Sequence, residues 1–582
     1  MKLKNILLYI AIAGIFASCS VTDKTPIDSL TDASYWKTVQ DLKLYANGFY
    51  NNLDAPSVTK DNTSDNCVTT NYNTWLFNES TIPSSGGGWD WGNIRNCNFF
   101  LQRYNKVSGT EEDINQYVAE VRFFRALDYF GKIKSFGDVP WYEKDLKTTD
   151  TEELYKGRDS RDFVLGKVIE DLEFAIKWLP DFGKQEKGRL TKDAARTQLA
   201  RVCLYYGTYN KYHNISGTPS SDELLRKAVA LTDEIIKSGN YEIVKGSDAG
   251  CGQQAYEEYP LNYSNQFIQL DLSQNKEVIL ARYYEEGVLT HETGRQAGSL
   301  GTGLSKDFVE SFLCKDGLPI SVSKLYKGDA TLEDEFVNRD PRMYQIIDNK
   351  NKPYLVINGT KQVNPFPDVN ANSAVTGYPC IKYHSPLSAQ AEARQTTYDW
   401  FVYRYAEVLL INAEAHAELG SCTQDVLDKT INLLRARVDM PNMTVNPVQD
   451  VKPIDYGYNV STLIYEIRRE RRIELVSEGH RYDDLVRWNA MKVLENPKTM
   501  FGIRITDDVK KLYEGTVEFG GETGRPVITY EGNTYLYQYA ATKALNDAGR
   551  KWSKDDKRWF SPLPTDQLTL NKNLKQNNGW IE

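Results

Sequence analysis

Glu466, Glu470, Glu474 and Glu478 recur at every fourth position of the segment EIRRERRIELVSEGHRYDDLVRW (466–488). That spacing stacks four like charges along one helical stripe and costs stability unless cations answer them. Arg469, Arg471 and Arg481 each stand three positions from one of these acids, and Ile467, Leu475, Leu485 and Trp488 supply apolar contacts on neighbouring faces. The pattern predicts an ion-paired helix packed into a helical scaffold rather than a catalytic carboxylate array.

Helical periodicity with plausible starts and stops runs through much of the chain. The expected helices are Asp32–Asn51, capped by Thr31 or Asp32, then Asn93–Tyr104, Asp113–Ser135, Arg161–Trp178, Thr191–Tyr209, Leu224–Ser238, Phe401–Leu419, Asp425–Arg437 and Ser461–Lys492. Small residues at contact positions, Ala194, Ala195 and Ala200 in one helix and Ala406, Ala413, Ala415 and Ala417 in another, suit tetratricopeptide-like pairs, which stack because one pair cannot bury its own face. The segments 54–92 and 239–399 differ in texture, being rich in Gly, Ser, Asn, Pro and aromatics. Loops of that length in a compact protein are usually functional. Short strands are expected at Val278–Tyr283 and Tyr354–Ile357. The fold class expected is mostly α, a scaffold of helix pairs over about 93–238 and 401–492 with long irregular loops and minor β content, in one domain.

The N-terminus reads as an export signal. Lys2 and Lys4 precede the apolar run Ile6–Ala17, too short to span a bilayer, and Phe16-Ala17-Ser18-Cys19 resembles a bacterial lipobox with Phe16 in place of the usual leucine. Residues 1–18 would then be removed and Cys19 lipidated. With 70 Lys and Arg against 79 Asp and Glu the formal charge is −9, and removal of two lysines and no acids makes it two units more negative. Such a balance argues against a nucleic-acid or anionic-membrane partner. A mean hydropathy of −0.54 and no later transmembrane stretch describe a soluble body tethered by lipid. The seven further cysteines, Cys67, Cys97, Cys203, Cys251, Cys314, Cys380 and Cys422, show no C-x-x-C and suggest neither zinc nor a dense disulfide framework, although one pair could close.

Beyond its chemistry, the R-R-I-E-L, E-G-H-R and R-W string resembles the C-terminal signature of the SusD/RagB family of outer-membrane nutrient-binding lipoproteins. Arg404–Leu419 (RYAEVLLINAEAHAEL) resembles that family's R-Y-A-E-V-L-L helix, and Glu120–Pro140 (EVRFFRALDYFGKIKSFGDVP) its E-x-R-F-x-R-A helix followed by G-x-V-P. Phe312–Pro319, Arg339–Arg342 and Trp559–Gly579 follow in the family's order. The resemblance implies a cell-surface protein that binds an oligosaccharide and delivers it to a SusC-like TonB-dependent outer-membrane barrel, with no cofactor or metal. It also admits relatives that serve peptide uptake.

Catalytic constellations are thin. His291-Glu292 is followed by Arg295, so the zincin pattern fails at its second histidine, and neither Walker spacing nor a G-x-S-x-G elbow occurs. A glycosidase pair of acids is the rival from another class. His416 and His480 are expected in core or capping roles. Binding leaves a clearer trace in 37 tyrosines, 21 phenylalanines and 11 tryptophans, since flat C–H faces of sugars pack on aromatic rings while Asp, Asn and Arg take hydroxyls. Asp65, Asn66, Asn73 and Trp75 have that composition in the first loop, where the resemblance places ligand contacts, and Arg394, Tyr398 and Trp400 have it again before the RYAEV helix. The expected site is one exposed cleft joining Asp65, Asn73, Trp75, Arg394, Tyr398 and Trp400. Trp89 and Trp91 are expected to staple the start of the next helix.

Overall fold

The computed structural model describes residues 35–246, 262–349, 354–358, 360–370 and 373–580. The signal segment, Cys19, Cys251 and the caps expected at Thr31 or Asp32 lie outside the described residues. Ten helices matter here: α1 Val39–Asn47, α2 Gly92–Leu101, α3 Glu111–Phe136, α4 Arg161–Trp178, α5 Lys192–Tyr212, α6 Ser221–Ser238, α7 Tyr405–Glu418, α8 Ile431–Arg437, α9 Thr462–Glu474 and α10 Arg481–Arg487. Their starts follow from side-chain caps. Thr110, Ser160, Thr191, Ser220 and Ser461 each accept a backbone N–H three residues on, and Glu223 closes a capping box with Ser220. Helix α1 starts at a capping box on Thr38 and Asp41.

The helices stack as neighbouring pairs: α3 on α4, α4 on α5, α5 on α6, and α7 of the C-terminal half on α6. The small residues read from the sequence permit this approach, since Ala194, Ala195, Ala200, Ala406, Ala413 and Ala415 are fully buried. Among the described residues the strands form two-stranded antiparallel ladders: β1 Cys67–Thr69 with β3 Thr302–Leu304, β2 Val278–Arg282 with β6 Trp400–Arg404, β4 Leu355–Ile357 with β5 Thr360–Gln362, and β7 Val527–Tyr530 with β8 Asn533–Leu536. The expected strands at 278 and 354 are present. Residues 401–404, expected as helix, are instead the last part of β6, because their backbone is drawn into a bulged ladder that pairs Arg282 with Trp400 and Val278 with Arg404. The six described cysteines are all free.

The charged signature departs from the single helix expected over Ser461–Lys492. It breaks after Glu474, where Ser477 (φ 62°) and Gly479 (φ 85°) take left-handed conformations, and resumes as α10. The expected local pairing holds for Arg469 with Glu466 at 3.1 Å. Elsewhere long-range partners win: Arg471 pairs with Asp484 at 2.9 Å and Arg481 with Asp65 at 2.8 Å. Glu474 is held by Arg342 at 3.2 Å, Arg404 at 2.8 Å and Arg437, all fully buried. Burial raises the Glu474 carboxyl, but these guanidiniums outweigh it and hold the group far below its ordinary range. The signature is therefore a buried electrostatic hub that ties α9 to β6, α8 and the RDPR turn.

Candidate functional site

The same hub positions the first long loop. Asp61 accepts the backbone N–H of Ser477 at 2.8 Å and of Gly479 at 3.2 Å, seating the loop on the break between α9 and α10. Asp65, fully buried, takes Arg481 through two 2.8 Å hydrogen bonds and lies 3.0 Å from Arg472. Its desolvation is outweighed by these two guanidiniums, which bring it down to about 2. Asn66 joins the same anchor, donating to Asp61 and accepting from Arg472.

Two chambers open where this loop meets β6, α3, α5 and α10. The first, about 450 Å³, has Trp400, Tyr403, Tyr383 and Phe130 among its walls. Trp400 is only 3% exposed. Its indole N–H donates to Asp54 at 3.1 Å, the Lys60 ammonium sits 4.7 Å from the ring centre and ion-pairs with Asp54, and the Tyr383 ring lies 4.6 Å away. Across the chamber, Arg201 forms a bidentate pair with Glu407 at 2.6 and 2.7 Å and lies 4.8 Å over the Tyr403 ring. Burial and the neighbouring arginines push His480 well below its ordinary value, so it stands neutral, 4.0 Å from Glu407.

The second chamber, about 460 Å³, is lined by Asn73, Trp75, Tyr205, Tyr482 and Trp559. Trp75 is half-buried, gives its indole N–H to the Tyr482 hydroxyl at 2.7 Å and stacks on Trp580 at 5.9 Å. Asn73 shapes the turn: its carbonyl accepts the backbone N–H of Trp75 at 2.9 Å and its amide donates to Thr63 at 3.1 Å. Gly131, Lys134 and Asp483 line both chambers, so the two adjoin as one groove divided by the Lys134–Asp483 ion pair.

The six residues expected in one cleft separate on these facts. Trp75 and Asn73 line the second chamber and Trp400 the first. Asp65 is corrected to an anchor, since its carboxylate is sealed between two arginines. Tyr398 is also fully buried; its hydroxyl donates to the Tyr383 carbonyl at 2.5 Å and so braces the chamber wall from behind. Arg394 is exposed on a left-handed turn (φ 58°) and lines neither chamber. Asp54, Lys60, Arg201, Tyr403, Glu407 and Tyr482 escaped the sequence reading. Glu407 was in view within the RYAEV string and Tyr403 one residue before it, but the facing of Tyr403 was hidden by the bulged β2–β6 ladder.

Carboxylates in the first chamber are engaged: Asp54 by Lys60 and Trp400, Glu407 by Arg201, Glu478 by Arg404 and Lys382, Asp483 by Lys134. Asp399 accepts the backbone N–H groups of Leu272 and Tyr284, and burial pushes it up to about 6. The four ion-paired acids make poor general acids, Asp399 is committed to its two backbone N–H donors, and the chamber offers aromatic faces ringed by fixed hydrogen-bonding groups.

A family model described as the SusD family matches residues 245–580, well over half of the chain. The chain belongs to the SusD family. A second model, described as starch-binding associating with outer membrane, matches residues 24–204. Among curated SusD relatives, SusD-like protein P2 of Formosa agariphila is 22% identical, with 99% of each chain covered. Solved neighbours include a SusD-like protein from Bacteroides fragilis (TM-score 0.68, 22% identity, 96% of this chain and 100% of that one) and a SusD-like carbohydrate binding protein from the same organism (0.67, 23%, 93% and 100%). A laminarin-binding SusD-like protein aligns with TM-score 0.54 at 18% identity, over 94% of this chain and all of its own. At these identities the neighbours establish the mostly helical fold. Among the described residues no helix is long and apolar enough to cross a membrane.

Proposed function

We propose that this SusD-family chain is a lipid-anchored, non-catalytic cell-surface protein that captures an oligosaccharide in the two-chamber groove and passes it to a SusC-like TonB-dependent barrel. The observation that carries the reading is the groove itself: two adjoining cavities of about 450 and 460 Å³, each with tryptophan and tyrosine in its wall and charged or amide groups at fixed positions beside them. Sugar rings need this pairing of apolar face and planar hydrogen-bonding rim. Descriptions of relatives as starch-binding, carbohydrate binding and laminarin-binding support the ligand class. Arginine and carboxylate are already joined across the chamber, Arg201 to Glu407, so the rim needs no reorganisation to present hydroxyl acceptors and donors.

A glycan array probed with the purified soluble domain tests the ligand class, with extended peptides as the control set. Retention on a glycan, weakened by Trp75→Ala, supports the reading; binding of peptides alone overturns it. The partner is tested separately. Docking on a barrel should bury on the order of 2,000 Å² or more, and co-purification from native membranes in mild detergent is the expected result, whereas solitary elution contradicts it.

A further inference from the structure

A third cavity, of about 480 Å³, lies between α2 and the single-turn helix Thr565–Leu570, and none of its lining residues lines either chamber of the groove. Trp89, Trp91, Asn98, Tyr142, Tyr155 and Gln567 are among its walls. Trp91, half-buried at the N-cap of α2, is gripped edge-on from two sides: Trp89 at 5.2 Å and 81°, Tyr142 at 5.4 Å and 83°. These perpendicular neighbours, with Tyr129 at 6.1 Å and 61°, fix the indole plane without stacking on it, and the Lys132 ammonium lies 5.7 Å from its ring centre. The sequence expectation that Trp89 and Trp91 serve the helix start accounts for this packing but not for the cavity.

The indole N–H groups distinguish this pair from the six tryptophans whose N–H is committed, while Trp552 also leaves its N–H without a partner but sealed from solvent. Trp75, Trp141, Trp400, Trp488, Trp559 and Trp580 each give theirs to an oxygen of the protein. Among the described residues neither Trp89 nor Trp91 donates its indole N–H to the protein, and neither group is sealed from solvent. The Gln567 side-chain amide is likewise without a protein partner there and unsealed. A cavity wall that combines a fixed aromatic plane with two open donors and an open amide suits a ligand with an apolar face and hydroxyls at its edge. An apolar protein segment laid on Leu154, Tyr155 and Leu570 would strand those polar groups without partners, which opposes its binding.

We propose that this cavity is a second saccharide site, taking one pyranose ring of an oligosaccharide against Trp91. The inference rests on the glycan reading above, but on different residues. The test uses protein labelled with ¹⁵N at the tryptophan indoles, titrated into the millimolar range with maltotriose, laminaritriose and cellotriose. Resonances are assigned with Trp89→Phe, Trp91→Phe, Trp75→Phe and Trp400→Phe. The expected result is a saturable shift of the Trp91 and Trp89 signals with at least one trisaccharide, retained in Trp75→Ala, and a severalfold higher midpoint in Gln567→Ala, which leaves the rings in place. If only the Trp75 or Trp400 signals move, or if the Trp91 shift vanishes in Trp75→Ala, the second site is overturned and the groove stands. If the Trp91 and Trp89 signals stay in place with all three, the second site is overturned, while the groove is judged by the glycan array.

Discussion

Lys134 of α3 and Asp483 of α10 form an ion pair that is wall to both chambers of the groove. The side chains are 23% and 35% exposed, so solvent screening leaves little stability in the pair, about 0–1 kcal/mol. Its consequence is for ligand length. Lys134→Met is expected to leave the melting temperature nearly unchanged, to spare short oligosaccharides that fill one chamber, and to change affinity for longer ones that cross the divide. Calorimetric titration with a length series checks this; equal effects on every length contradict it.

The hub behaves in the opposite way. Glu474→Ala would leave Arg342, Arg404 and Arg437 without their shared carboxylate in a fully buried setting, and breaking such a cluster from one side costs about 3–5 kcal/mol. Arg471→Ala, which frees Asp484, is expected to destabilise for the same reason. Thermal melts should show lower midpoints and expression lower yield, while affinity per folded Arg471→Ala molecule stays near wild type.

How far the sequence reached can be judged at these two places. The approximate helix positions and the alanine contacts were legible because their physics is local, and so were the strands near 278 and 354. The caps at Thr110 and Ser220, by contrast, start their helices two and three residues ahead of the expected positions. The partners of Arg471, Arg481 and Glu474 were not legible, because pairing at three residues' separation competes with buried acids and arginines 13 to 416 residues away, and a desolvated partner with fixed geometry wins. Asp65 and Tyr398 were misplaced for a related reason: a polar residue in a loop looks available for ligand until its neighbours from elsewhere in the chain are known. Trp75 and Trp400, expected together in one exposed cleft, line two adjoining chambers instead, and Trp400 is buried at the start of β6 rather than set in a loop.

Acid sensitivity follows from the histidines. Burial lowers His213 and His291 to about 4 and His480 further, so all three stay neutral in the fold while the unfolded chain takes protons near 6.5. Their stabilisation is complete above about pH 6.5 and is lost as pH falls toward 4. Asp399, raised to about 6, works the other way: the folded state takes its proton first, and its share of stability grows between about pH 6 and 4. Burial raises Asp61, Glu120, Asp128, Asp307 and Glu466 in the same direction as Asp399 and lowers His416 with the other histidines, so the histidine contribution is read from a variant rather than from the net profile. Asp65 and Glu478, both at about 2, contribute loss only between about pH 4 and 2. Between pH 7 and 4.5 the urea denaturation midpoint of His213→Gln should lose less, relative to its own value at pH 7, than that of wild type; identical pH dependence in the two contradicts the account.

The anchor is tested by Cys19→Ala, which is expected to fold normally and to leave the membrane fraction, because lipid at that position is the proposed tether. Persistence in membranes of a strain lacking the barrel contradicts this.

The most direct measurement is calorimetric titration of the mature soluble domain with the oligosaccharide that a glycan array selects, comparing wild type with Trp75→Ala and Trp400→Phe. Trp75 is half-buried at the chamber wall, so its truncation should weaken binding by roughly 1–3 kcal/mol with little change in melting temperature. Trp400→Phe keeps most of the buried volume but removes the N–H that holds Asp54, and should weaken binding more modestly. Wild-type affinity in both folded variants would contradict the assignment of ligand binding to this groove.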